Sequence, residues 1–177
     1  MKNVGAGYDD ISARIFKSTY LAIIDILVHF VNICLIKGKF PSLLKIAVVK
    51  PIFKAGDQSL MNNYRPISML PYISKILEKI IFLRLMCHIE GNNILTPNQF
   101  GFRKAFSTYM PLIILQDAVT KGFEDRMVSC GIYLDLQKAF DTVDHTILLN
   151  KLQAYGITGT FLAMIESYLT RAALGGG

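Results

Sequence analysis

Residues 128–145 read Val-Ser-Cys-Gly-Ile-Tyr-Leu-Asp-Leu-Gln-Lys-Ala-Phe-Asp-Thr-Val-Asp-His. Up to Leu136 it alternates: Val128, Cys130, Ile132, Leu134 and Leu136 take one face of an extended chain, and Ser129, Gly131, Tyr133 and Asp135 the other. That period predicts a β-strand packed on helices by its apolar face, with Asp135 offered on the other side. A carboxylate at the end of a strand suits Mg²⁺, which accepts one or two carboxylates and keeps substrate phosphates among its other ligands. Asp141 and Asp144 read instead as residues that open or cap a helix. That helix runs from Asp144 through Tyr155, Gly156 ends it, and Thr158 or Thr160 caps another reaching about Ala173.

Upstream, residues 11–37 read as helix with a possible break near Lys17–Thr19, stopped by Gly38 with Pro41 beyond. Its stretch Tyr20–Ile36 is apolar enough to suggest a membrane span, but it holds Asp25, His29 and Asn32. One Asp at mid-bilayer costs about 2.5–3.5 kcal/mol on insertion scales. These polar residues share one helix face while Leu21, Ile24, Val28, Val31 and Leu35 share the other, so a core-covering helix is expected rather than a membrane segment. Tyr8-Asp9-Asp10 abuts the helix start and reads as capping.

Lys45–Phe53 and Tyr64–Leu70 are β-rich and joined through the turn Lys54-Ala-Gly-Asp57. Pro51 and Pro66 cannot donate to a ladder, which predicts an exposed edge hairpin of two strands or nearly so. Pro71–Glu90 keeps helical apolar spacing and Gly91 ends it; a loop at Leu95–Phe106 leads to a helix over about Ser107–Lys121.

The chain has 177 residues, 52% of them hydrophobic, and a formal charge of +6. That is enough apolar residue for a sizeable core, and the positive excess favours an anionic partner. Cys34, Cys87 and Cys130 are widely spaced, without CxxC or His partners, so neither a disulfide framework nor a zinc site is expected, and an intracellular setting is. His29, His88 and His145 lack ligand-like neighbours at helical spacing. Met1–Tyr8 has none of the features of a secretory signal.

The segment Tyr133-Leu-Asp-Leu-Gln-Lys-Ala-Phe-Asp141 resembles motif A of reverse transcriptases of non-LTR retrotransposons. The resemblance continues in the family's order. Lys39-Phe-Pro41, Ala47–Asp57, Asn63-Tyr-Arg-Pro-Ile-Ser68 and Gln99-Phe-Gly-Phe-Arg103 precede motif A, with Ser107-Thr108 just after the last of these; His145–Ile157 and Ser167-Tyr-Leu169 follow it. It spans about Gly7 to Arg171.

The resemblance implies an α+β fold with a fingers β-hairpin, flanking helices and a partial antiparallel palm sheet backed by helices. Residues 1–44 would be N-terminal helices, 45–125 the fingers region and 126–177 the start of the palm. It implies RNA-directed DNA polymerase activity by two-metal catalysis with Mg²⁺, on an RNA template, a DNA primer and deoxynucleoside triphosphates, without a membrane, inside the cell and in the nucleus where the parent element is active. Asp135 would be the catalytic metal ligand and the Leu136 carbonyl a supporting one. Phe140 would lie under the incoming sugar, Lys54 and Arg65 would meet the triphosphate, and Arg103 would contact nucleic acid. The paired aspartates of motif C, motif B, the thumb and an endonuclease are expected to be absent, and Gly175–Gly177 to be a foreign or frayed tail. The chain alone is then expected to be inactive. The alternative is a non-catalytic nucleic-acid-binding fragment of a decayed element.

Overall fold

The computed structural model describes residues 6–136 and 139–170; Gly175–Gly177 lie outside these. The first helix, α1 (Ala13–Lys37), runs 25 residues without the expected break. Ser18 and Thr19 sit within it by donating their hydroxyls back to the Ile15 carbonyl, at 2.8 and 3.0 Å, so these polar residues need no chain bend to be satisfied. The N-cap is Ser12, whose hydroxyl accepts from the Ile15 N–H at 3.3 Å. Asp9 instead accepts from Ile11 N–H just upstream.

A 3₁₀ turn at Ser42–Lys45 leads to β1 (Val48–Phe53), which pairs antiparallel with β2 (Tyr64–Met69) after a second 3₁₀ turn at Met61–Asn63. Pro51 stands opposite Pro66. The Lys54 N–H donates to the Asn63 carbonyl at 2.8 Å, so alternation puts the proline pair at a non-hydrogen-bonded position, where neither missing N–H is needed. The remaining elements are α2 (Tyr72–Gly91), α3 (Tyr109–Glu124), α4 (His145–Ala154) and α5 (Gly159–Leu169).

The chain divides into two compact units, Met1–Met86 with His145–Gly177, and Cys87–Asp144. The first holds the hydrophobic core. Val31 and Cys34 of α1, Phe40, Leu77 and Ile81 of α2, Leu152 of α4, Ile157, and Met164 and Ile165 of α5 close on one another. Gly38 makes the turn from α1 possible. Its φ is +60°, its N–H and that of Lys39 satisfy the last α1 carbonyls, and a Cβ there would lie 2.7 Å from the Thr160 carbonyl. Beyond it, Phe40 N–H donates to Ser167 Oγ at 3.0 Å, and Lys45 Nζ donates to the Ser167 and Thr170 carbonyls at the end of α5. Tyr168 donates to Glu78 Oε1 at 2.9 Å, joining α5 to α2.

Only part of the expected apolar face of α1 is used. Val31 is buried, but Leu21 is 74% exposed and Ile24 and Val28 are exposed too. The core reaches the last third of the helix, and Phe16 is covered separately by Tyr72, ring centroids 4.6 Å apart. By length and composition α1 is able to cross a bilayer.

The second unit corrects the sequence reading. The strand expected over Val128–Leu136 is not formed; the segment is irregular and exposed throughout, Val128 to 96%. The shallow groove it forms with α3 is lined by Ser129, Cys130, Gly131 and Tyr133, so residues of both expected faces meet α3 and Cys130 is the one member of the alternating apolar set among them. Alternation records which side of a strand would be buried, but a strand exists only where a neighbour receives its N–H and C=O groups. Among the described residues the one sheet is β1–β2. The architecture is thus mixed: helices plus a small antiparallel sheet, in keeping with an α+β class. The helix expected to reach Ala173 ends at Leu169, with Thr170 as its C-cap.

Candidate functional site

Lys54 and Arg65 lie on the hairpin and both are exposed. The register pairs Ile52 with Arg65 and Lys50 with Ile67. Directly opposed residues share a face and alternate ones along a strand do too. Lys50, Lys54 one step beyond β1, and Arg65 therefore gather on one face of the hairpin. The other face carries Phe53 and Tyr64, whose rings lie 5.5 Å apart at 60°. Lys50 was missed in the sequence, although its spacing of four from Lys54 on an extended chain was the signal.

The loop between the strands is bonded to itself. Asp57 Oδ1 accepts from both the N–H and the hydroxyl of Ser59 at 2.8 Å, which holds its carboxyl below the usual carboxylate range. Asn63 Nδ2 donates to the Asp57 carbonyl at 2.8 Å and Tyr64 OH to the Gln58 carbonyl at 2.9 Å. The one carboxylate of the hairpin is thereby engaged within its own loop, and the cationic face is left without an acid. Converging positive charge of this kind attracts a polyanion.

In the second unit, Asp135 and Leu136 are exposed on the irregular segment. The structure brings Phe140 against Phe102, 6.3 Å between ring centroids and 88° between planes. Arg103 is held differently from an open contact residue. Its Nε and Nη2 donate to the two Glu90 oxygens at 3.1 and 2.8 Å, its Nη1 donates to the Thr96 carbonyl at 3.2 Å, and its guanidinium lies 4.3 Å from the Phe106 ring centroid. The fork is occupied by Glu90 at the end of α2 and by the Thr96 carbonyl of the loop itself.

The chemistry of the donor set bears on a metal ion. A Mg²⁺ wants about six oxygens in octahedral array; Asp135 supplies a carboxylate and Leu136 a carbonyl. All 13 Asp and Glu residues fall among the described positions, and among the described residues no group of three Asp, Glu, His or Cys stands together. These residues fit a contribution to one ion and do not build a two-ion site by themselves.

Residues 52–176 match the family model described as reverse transcriptase (RNA-dependent DNA polymerase). Over 164 residues, 92% of the chain, it is 30% identical to a probable RNA-directed DNA polymerase from transposon BS of Drosophila melanogaster. It is 34% identical over 80% of its length to the RNA-directed DNA polymerase from mobile element jockey of Drosophila funebris. To the Pol polyprotein from type-1 retrotransposable element R2 of Popillia japonica it is 30% identical over 73%. It spans 18%, 16% and 18% of those proteins.

Proposed function

Because this chain belongs to the reverse transcriptase family, among those of non-LTR retrotransposons, we propose that it serves RNA-directed DNA synthesis, with an RNA template, a DNA primer and deoxynucleoside triphosphates as partners. The observation that carries the proposal is the hairpin face on which Lys50, Lys54 and Arg65 gather. Phosphoryl transfer concentrates negative charge on the triphosphate, and cations held ready on a stiff hairpin stabilise it. Lys54 and Arg65 meet the triphosphate, and Lys50 adds to the same field.

Asp135 and the Leu136 carbonyl would hold a divalent ion of the kind this family uses, Mg²⁺, contributing one carboxylate and one carbonyl oxygen to it. When bound, such an ion draws charge from the phosphates. Phe140 lies under the incoming sugar, where its ring collides with a 2′ hydroxyl and so favours deoxynucleotides. Arg103 secures its loop and presents that loop to nucleic acid. The polymer is attracted by the net charge of +6, and the setting is intracellular and nuclear, away from membranes.

The test is to titrate the chain with a deoxynucleoside triphosphate, and separately with a primer–template duplex. Lys54→Ala and Arg65→Ala are expected to weaken the triphosphate and spare the duplex; the reverse pattern would remove the hairpin from the nucleotide site. The donor set favours a second reading for these residues on their own, binding without catalysis. Primer extension by the 177-residue chain with Mg²⁺ is expected to be absent, and extension that survives Asp135→Asn would contradict both readings.

A further inference from the structure

Phe102 and Phe140 meet edge to face, a geometry favoured by the quadrupoles of two aromatic rings. Neither ring is part of a core. Phe102 is 86% exposed and Phe140 81%, so burial does not account for their meeting. Phe102 also holds φ at +62°, in the left-handed region where a bulky side chain is an outlier.

The neighbouring residue shows what maintains that conformation. Arg103 ties the loop to both oxygens of Glu90, to the Thr96 carbonyl and to the Phe106 ring. A second non-glycine residue at positive φ, Ala105 at +66°, follows it. Two tight turns flanking one clamped arginine over-determine the loop, and the strained residue of the first turn, next to the clamp, is the one whose ring reaches Phe140. Strain that persists because its surroundings enforce it is found at functional positions.

We propose that Phe102 is a positioning residue for Phe140, its ring edge holding the Phe140 ring in the orientation that screens the 2′ position of an incoming nucleotide. The proposal rests on the reading that Phe140 lies under the sugar. An exposed phenylalanine beside a turn otherwise samples several staggered rotamers, and an aromatic pair of this geometry favours the paired one by about two- to tenfold. Phe102 thereby acts on sugar selectivity without touching the nucleotide.

The experiment uses the full chain with Mg²⁺ and compares affinities for dTTP and ribothymidine triphosphate, which differ only at the 2′ position, alongside nuclear Overhauser contacts between the two rings. Wild type is expected to show the ring contact and to prefer the deoxynucleotide. Phe140→Val removes that preference, Phe102→Ala lowers it by about two- to tenfold with little change in dTTP affinity, and Phe102→Tyr retains it. A change in general folding moves both affinities together and leaves their ratio alone. Absence of the ring contact in the wild type overturns the proposal without any variant. So does a Phe102→Ala ratio equal to wild type while Phe140→Val has lost the preference, and then the reading of Phe140 survives. If Phe140→Val also leaves the ratio unchanged, that reading fails, and the role of Phe102 with it.

Discussion

Replacing Arg103 by alanine removes four things at once: two bonds to Glu90, one to the Thr96 carbonyl, and the stack on Phe106. The ion pair is partly shielded, with the Arg103 side chain 13% exposed and that of Glu90 40%, and is worth about 0.5–1 kcal/mol. The bond to the carbonyl contributes about 1 kcal/mol, and the cation–π contact about 0.5 kcal/mol at a site only partly desolvated. The loss is about 2 kcal/mol of local stability. Arg103→Lys keeps the charge but neither the fork nor the planar face, so it forfeits roughly half of this. Glu90→Gln paired with Arg103→Ala in a cycle isolates the ion pair, with a coupling of about 0.5–1 kcal/mol. Native-state hydrogen exchange is the assay, read at two amides of the loop. Gln99 N–H donates to the Thr96 carbonyl at 3.1 Å and Ile94 N–H to the Ile89 carbonyl at 3.0 Å. In Arg103→Ala their exchange should speed up about thirtyfold, since about 1.4 kcal/mol is a factor of ten. Unchanged exchange at both amides in a folded variant would refute the clamp.

Gly38→Ala combines the left-handed φ of +60° with a Cβ 2.7 Å from the Thr160 carbonyl, and should cost about 2 kcal/mol or more, seen as a fall in Tm. Burial, helped by the Glu78 charge and the hydrogen bond to it, pushes the Tyr168 hydroxyl up to about 12. A folded pKa above the unfolded value means that stability is full below pH 10 and falls as pH rises toward 12. A shift of two units is nominally about 2.7 kcal/mol, but Tyr168 is 38% exposed and solvent screening reduces this to about 1 kcal/mol. Denaturant melts between pH 9 and 12 measure it, and Tyr168→Phe should flatten the decline.

The hairpin was legible because prolines and turn residues act locally: Pro51 and Pro66 specify which positions of the ladder need no donor, and Gly56-Asp57 specifies where it turns. The helices were legible from their spacing and stops, Gly38 above all. What failed depended on partners. Val128–Leu136 alternates as a strand does, yet pairing is a property of two segments and only one was in view. The face of α1 that would be buried was misjudged for the same reason, since Leu21 and Val31 carry equal hydrophobic signals and only the second meets α2, α4 and α5 residues in the core. The pairing of Arg103 with Glu90 was not legible, because Glu90 is 13 residues away, across a helix end and a loop whose turns sequence spacing does not define. Lys50 was within reach, as period two along β1 ties it to Lys54.

The most direct measurement is the affinity of the purified chain for a deoxynucleoside triphosphate with Mg²⁺, in the wild type and in the Lys54→Ala, Arg65→Ala double variant. If the hairpin face is the triphosphate contact, each charge is worth about tenfold and the pair about a hundredfold, roughly 2.8 kcal/mol, with binding of the corresponding nucleoside unchanged. Equal triphosphate affinity in wild type and double variant, with both folded, would contradict the assignment of this face to nucleotide binding.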